Sequence, residues 1–316
     1  MPKITVGTFN TENLFLRYRL LDKERGSRFG KKVDKKQFEE GGGSILMLGV
    51  RLEEFGPISK AARRLTAKVI VENDPDILAL QEVENLEALK LFNGYFLKQR
   101  YPYSILIDAN DPRQIDVGLL SKYPILNVST HQFEPEGAPV TERIFSRDCL
   151  VVEVDVRGKV LTLLVNHFKS KIGGGEEKRK RQAVRVAEIL KQRFGAKYDG
   201  DFIVCGDLNA HFDAPELRSL MGANGLGAKG MVNLVPTHLD PEEHWTHYYK
   251  KGKTAEALDH MLLSPALAAR NKRPAVWIER RGLGTDIKRY TGPRFAGLTG
   301  AEGASDHCPI FAELTL

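Results

Sequence analysis

What the chain lacks narrows it first. Its 316 residues contain no run of 18 apolar residues, so no membrane span is expected. Met1-Pro2-Lys3 leads directly into Ile4-Thr5-Val6, an apolar segment too short for the core of a secretory leader, and a cytoplasmic protein is expected. Cysteine is scarce. Cys149, Cys205 and Cys308 are odd in number, form no Cys-x-x-Cys, and each lies in an apolar context. That argues against a disulfide framework or a thiolate metal site and leaves three buried, unpaired thiols. No break in composition divides the chain, so one domain over 1–316 is expected.

What is present is an apolar fraction of 42%, enough for a sizeable core. Net charge is 47 − 41 = +6. The window from Lys169 to Arg193 holds nine Lys/Arg against three Glu, again +6. Such a patch favours an anionic partner, and a solvated helix face is the other reading of it.

In chain order, Lys3 to Phe9 reads as a strand stopped by Asn10-Thr11-Glu12-Asn13. Residues 17–57 are polar, with Gly41-Gly42-Gly43 inside, and look like an insertion or long loop. Ile58, Ala62, Leu65 and Val69 recur at helical spacing, which predicts a helix over 58–73. Asp76 to Leu80 is a buried strand with Gln81-Glu82 at its end, and 86–96 is helical. Strands follow at 103–107 and 117–120. Leu150, Val152, Val154 and Val156 alternate, predicting a strand with one core face, and 160–165 is its hairpin partner, running into Asn166-His167. A helix over about 176–194 is expected to bury Ala183, Ala187, Leu190 and Phe194. Further strands are 202–205, 257–263 (interrupted by Asp259-His260) and 310–314. The class is α/β or α+β with a large sheet system.

One regularity decides the reading: Asn10, Glu82, His167, Asp207 with Asn209, and Asp306-His307 all fall at strand ends. One polar strand end is ordinary turn chemistry. Five, each offering a carboxylate, imidazole or carboxamide, would together make a hard-cation site with histidines for proton transfer, suited to phosphate-ester hydrolysis. With no thiolates, Mg²⁺, Mn²⁺ or Ca²⁺ fits better than a structural zinc.

Thr8-Phe9-Asn10, Leu80-Gln81-Glu82-Val83, Gly206-Asp207-Leu208-Asn209 and Ser305-Asp306-His307 resemble, in order, the motifs of the endonuclease/exonuclease/phosphatase superfamily. The resemblance covers residues 5–314 and implies the deoxyribonuclease I-like fold, a four-layer α/β/β/α sandwich of two packed mixed sheets flanked by helices. It implies that Glu82 is the main ligand of a divalent cation, with Asn10 and Asp306 as further or water-mediated ligands. It implies that Asp207 orients or activates the attacking water, that Asn209 holds a phosphate oxygen, and that His307 is essential and oriented by Asp259. Phe145-Ser146-Arg147 is similar to the segment that supplies a phosphate-contacting arginine in deoxyribonuclease I, and His167 matches a second active-site histidine there. The tyrosine of exonuclease III-type apurinic endonucleases has no match, Tyr123 being wrongly placed.

The stretch His167-Phe168-Lys169-Ser170-Lys171, followed by Lys178-Arg179-Lys180-Arg181, resembles the bacterial nuclease branch, with Lys169 and Arg181 as phosphate-binding cations. Trp245, Tyr248 and Tyr249 beside Lys250, Lys251 and Lys253 could stack bases. A metal-dependent phosphodiesterase of low sequence specificity on nucleic acid, DNA foremost with DNA against RNA left open, is therefore expected, as a monomer. The alternative is a phosphatase or phosphodiesterase for lipid or sugar phosphates. A binding module would not need all of Glu82, Asp207, Asn209, Asp259 and His307. Of the two proton demands of in-line hydrolysis, His307 is expected on the nucleophile side and His167 at the leaving group, with Asp207 competing for the water.

Overall fold

The computed structural model describes residues 2–14, 60–137, 142–171 and 173–316. The expected insertion over 17–57 lies outside the described residues, as does the start of the first helix. The chain runs β1 (Lys3–Leu14), α1 (Lys60–Asn73), β2 (Ile77–Val83), α2 (Leu86–Tyr95), β3 (Tyr103–Leu106), β4 (Asp116–Ser121) and β5 (Ile125–Ser129). The short pair β6 (Pro135–Glu136) and β7 (Glu142–Arg143) precedes β8 (Cys149–Val156), β9 (Lys159–His167), α3 (Glu176–Phe194) and β10 (Phe202–Asp207). Then come α4 (Arg218–Met221), β11 (Val232–Asn233), α5 (Leu234–His238), β12 (His247–Tyr249), β13 (Thr254–Glu256), β14 (Asp259–Leu263), α6 (Pro265–Arg270), β15 (Val276–Ile278) and β16 (Ile310–Thr315).

Two six-stranded mixed sheets result, in the orders β15-β16-β1-β2-β4-β3 and β11-β14-β10-β9-β8-β5. Each has a central parallel pair, β1 with β2 and β9 with β10. Both faces of the central strands are buried, and alternate residues serve different cores. Ile77 and Ala79 join the core between the sheets, while Leu78 and Leu80 pack with Val69, Ile70, Leu89 and Phe92 of α1 and α2. On the second sheet Leu163 and Ile203 face inward, and Leu164 and Val204 meet Ala183, Val186 and Leu190 of α3. This is the expected α/β/β/α sandwich.

Three local expectations are corrected. β8 has two core faces over its first half, because Val151 packs toward α3 while Leu150 and Val152 face the other sheet. β1 does not stop at Asn10; it runs to Leu14 through a register shift, with Glu12 and Asn13 at positive φ. On α3 the buried stripe is Arg179, Gln182, Ala183, Val186, Ile189 and Leu190, with Ala187 and Phe194 only partly covered. All three cysteines are free and buried. Among the described residues no helix is long and apolar enough to cross a membrane.

Candidate active site

Strand register gathers the polar residues. In the second sheet Asp207 is the cross-strand partner of His167 on one side and of Asp259 on the other, so three site residues form one row. In the first sheet Asn10 pairs with Gln81, placing Glu82 one step beyond. A register shift between Gln81 and Val83, with Glu82 at φ 61°, re-aims the Glu82 side chain as bulges do. Ser305 binds the last loop to β1: its Oγ donates to the Asn10 carbonyl at 2.8 Å and accepts from the His307 N–H at 3.0 Å.

The centre is a chain of three groups. His307 Nδ1 lies 2.7 Å from Asp259 Oδ2, and His307 Nε2 lies 3.8 Å from Asp207 Oδ2. Asp207 Oδ2 accepts from Asn10 Nδ2 at 3.1 Å, and its Oδ1 accepts from the Asn209 N–H at 2.8 Å. Asn209 is itself held at φ 52° by donating its Nδ2 to the Phe168 carbonyl at 3.1 Å. Thr246 Oγ1 accepts from the Asp259 N–H, fixing the acid behind the histidine.

Asp259, Asp207 and His307 are all buried. Burial works against the imidazolium, but Asp259 and Asp207 outweigh it and hold His307 well above the usual histidine range. Burial, reinforced by Asp259 and opposed by His307, raises the Asp207 carboxyl to about 6. At neutral pH the shared proton therefore sits on His307. His167 is the opposite case: burial and the Arg147 charge push it well below the usual range. Arg147 Nη2 lies 3.2 Å from His167 Nε2, and its Nη1 is 3.4 Å from Asp111 Oδ2.

Glu82, Glu12 and Asp306 form a second group. Glu12 Oε2 accepts from the Asp306 N–H at 2.9 Å, and Glu82 Oε2 from the Asn13 N–H at 3.1 Å. Burial first, and Asp306 second, raises Glu12 to about 7 and also raises Glu82. Buried Arg63 donates to the carbonyls of Thr11 and Glu12 and pins this bulge. These carboxylates act on one another's pKa through space, and acidic oxygen donors of this kind suit a hard divalent cation, while the tightest cluster of potential ligand atoms at the centre is Asp207, Asp259 and His307. Asn10 stands beside them with both ends of its amide engaged, Nδ2 by Asp207 and Oδ1 by the Glu12 N–H at 3.1 Å.

A sequence profile of the Endonuclease/Exonuclease/phosphatase family matches residues 50–307. The chain belongs to this family. No curated protein matches the sequence. Among solved structures, truncated TDP2 from Caenorhabditis elegans superposes at TM-score 0.61 with 17% identity, covering 99% of this chain and 98% of that one. An endonuclease/exonuclease/phosphatase from Bacteroides vulgatus superposes at 0.61 with 16% identity, over 100% of both chains. Beta toxin 275-280 from Staphylococcus aureus superposes at 0.59 with 14% identity, over 99% and 100%. These likenesses concern the fold.

Within this family member, the structure brings Asn10, Glu82, Arg147, His167, Asp207, Asn209, Asp259, Asp306 and His307 to one edge of the sandwich. Lys169 follows His167, half-buried, its ammonium pKa lowered by burial and by Arg147 and Arg113. Arg181 is not a free phosphate ligand: it pairs with Glu136 at 2.5 Å. The rest of the basic window is largely neutralised too. Lys178 binds Glu136, Arg185 Nη2 meets Glu134 at 2.8 Å, and Arg193 meets Glu153 at 2.7 Å. Arg179 is buried with Glu216 at 2.9 Å.

The stacking expectation fails for Trp245, which belongs to the core between the sheets; Tyr248 is buried there too but edges the surface cleft, and Tyr249 is exposed. It lines, with Lys250, Lys251, Glu12 and Asp306, a cleft of about 260 Å³. Sequence reasoning missed Glu12, Asp111, Arg113 and His247. Glu12 lay within the quoted polar stretch, but nothing in the local sequence marked the others.

Proposed function

We propose that the protein is a divalent-metal-dependent phosphodiesterase acting on nucleic acid. The observation that carries this reading is the line Asp259–His307–Asp207, at 2.7 and 3.8 Å, with the acids Glu82, Glu12 and Asp306 in electrostatic reach of one another beside it. Glu82, Glu12 and Asp306 would hold the cation, with Asn10 bracing Asp207 beside them. A bound divalent cation would supply Lewis-acid stabilisation of charge on the phosphoryl oxygens.

The chain's own groups then divide the proton work. Asp207, raised to about 6 and held at both oxygens, is an ionised base at neutral pH and takes the proton of the attacking water. His307, kept protonated by Asp259, faces the same space with Nε2–H and gives a proton to the departing oxygen. His167 is neutral, its Nε2 turned to the Arg147 guanidinium, and serves with Arg147, Lys169 and Asn209 in binding the phosphate. This assigns the histidines opposite to the sequence-level division.

Nucleic acid is favoured by cations near the centre: Arg113 and Arg147, which share the one acid Asp111, with Lys169, and on the cleft wall Lys251 beside exposed Tyr249 and Lys250, the last paired with Asp286. A small or lipid phosphoester is the second reading, favoured by the ion-paired state of the helix α3 cations. The test is turnover of supercoiled plasmid, single-stranded oligonucleotide, a nitrophenyl diester, inositol phosphates and phospholipid vesicles, with Mg²⁺ and with chelator. Glu82→Gln should abolish turnover and weaken Mg²⁺ binding together. Full activity in excess chelator would remove the metal role, and turnover of inositol phosphates or lipid without nucleic acid would replace the substrate.

A further inference from the structure

His247 has no part in the scheme above, yet it stands against the centre. An isolated antiparallel bridge joins it to His307, and the two imidazoles lie 4.6 Å apart, centroid to centroid. Asp306 reaches both. Its Oδ2 is 3.7 Å from His247 Nε2, and its Oδ1 is 4.0 Å from His307 Nε2. One ligand atom from each of the three residues falls within 4.8 Å of the other two.

One feature of this cluster points to a ligand. His307 donates Nδ1–H to Asp259, which leaves Nε2 as the coordinating nitrogen; metal-binding histidines are held this way by a carboxylate behind them. His247 has no such partner: its Nδ1 is buried without a hydrogen bond, so the carboxylate-backed arrangement holds for His307 alone. Tetrahedral zinc with bonds of about 2.0–2.1 Å needs ligand atoms roughly 3.3–3.5 Å apart. The three ligand atoms lie within 4.8 Å of one another, so the side chains must draw together, by up to about 1.5 Å at the widest pair, to grip the ion. Two imidazoles and one carboxylate select zinc and its neighbours over magnesium or calcium, which prefer oxygen alone.

We propose that His247, Asp306 and His307 form a site for an imidazole-preferring divalent cation, zinc foremost, with water as its fourth ligand, and that zinc there inhibits the hydrolase. Zinc would displace the Nε2 proton of His307 to solvent, occupy the nitrogen with which that residue serves the reaction, and draw Asp306 away from Glu12 and Glu82. The inhibitory half rests on the function proposed above; the binding half does not.

The experiment titrates Co²⁺, a coloured stand-in, and then Zn²⁺ into the wild-type chain, His247→Gln and Asp259→Asn. In wild type, one equivalent of Co²⁺ should give the intense visible absorption of a four-coordinate ion, and Zn²⁺ should bleach it. His247→Gln should weaken Zn²⁺ binding at least ~10-fold, and Asp259→Asn, which removes the carboxylate behind His307, by about 10–100-fold. Equal Zn²⁺ affinity in His247→Gln and wild type, or no four-coordinate Co²⁺ spectrum, overturns the site. Should His247→Gln misfold, ¹⁵N shifts of the ring nitrogens in wild type decide: Zn²⁺ must move both His247 and His307, and movement of only one refutes the proposal. With Mg²⁺ and a diester substrate, half-inhibiting Zn²⁺ should rise in His247→Gln by the same factor as the binding constant. Zinc that binds there without inhibiting would refute the inhibitory half alone.

Discussion

Asp259→Asn isolates the group that sets the charge of His307. The contact is 2.7 Å long and both partners are buried, so water cannot substitute for the carboxylate. A hydrogen bond assisted by charge is worth about 1.5–3 kcal/mol, roughly twice a neutral one. Its loss should bring the His307 pKa down toward the ordinary histidine range. The sign for stability follows from the direction of the shift. A histidine raised on folding stabilises the fold fully below its unfolded pKa near 6.5, and that stabilisation disappears as pH rises through the folded value. Asp259→Asn should therefore lose most stability between about pH 5 and 6.5, with the deficit shrinking as the solution becomes alkaline. Turnover should fall about 10²–10⁴-fold, as expected for losing a general acid. The alkaline limb of the pH–rate profile should also move to lower pH. NMR titration of the His307 ring, thermal melts across pH and kcat/KM profiles measure the three quantities. An unchanged His307 pKa in Asp259→Asn, or a stability deficit that grows with pH, would refute the reasoning.

The division of labour between the histidines is tested by leaving groups: His307→Ala should lose about 10²–10⁴-fold on a DNA-like diester. It should be largely restored on a nitrophenyl diester, whereas His167→Ala should be impaired on both; the reverse pattern restores the opposite assignment. Arg179→Met removes a buried guanidinium from the half-buried Glu216 and from the Lys169 carbonyl and should destabilise by roughly 1.5–3 kcal/mol in urea unfolding, with Glu216→Leu recovering part of the loss. The salt slope of DNA binding should be unchanged by Arg179→Met, and a slope smaller by about one would return that residue to the substrate surface. Gly206→Ala places a Cβ 1.9 Å from the Asn166 carbonyl oxygen at a residue with φ +127°, beside Asp207. It should cost roughly 2–6 kcal/mol and reduce turnover in the molecules that still fold. Calorimetry and kcat together check it, and a melt within a degree of wild type would contradict the clash.

How much of this was legible in the sequence depends on what each feature needs. The polar residues at strand ends were readable because strand and end are both local. β2 reads as a buried run from Ile77 to Leu80, and Glu82 follows within the same strand. Their convergence was not local. It comes from β9 and β10 lying parallel in a register that sets His167 against Asp207, and from β14 entering antiparallel so that Asp259 meets Asp207 from the other side. Only the family resemblance supplied that arrangement beforehand. His247 was invisible for the same reason, since its significance lies in a bridge to a residue sixty positions away.

The basic window failed for a related but sharper reason. A count of charge along the chain adds neighbours in sequence, whereas the field at a surface adds neighbours in space. The acids that answer α3 come from β6 and its approach (Glu134 and Glu136), from β8 (Glu153) and from the turn before α4 (Glu216). None lies in the window, so its local excess of +6 could not reveal them. Arg179 shows the consequence most clearly. Its position on the helix is i+3 from Gln182 and i+4 from Ala183, both buried, which places it on the core stripe rather than the solvated face. Once there, a guanidinium must have a carboxylate, and Glu216 provides it while Nη1 caps the Lys169 carbonyl at 3.1 Å. That last bond ties helix α3 to the segment leaving His167. The charge that looked like a handle for substrate is thus spent inside the fold, holding the backbone that carries the phosphate-side residues.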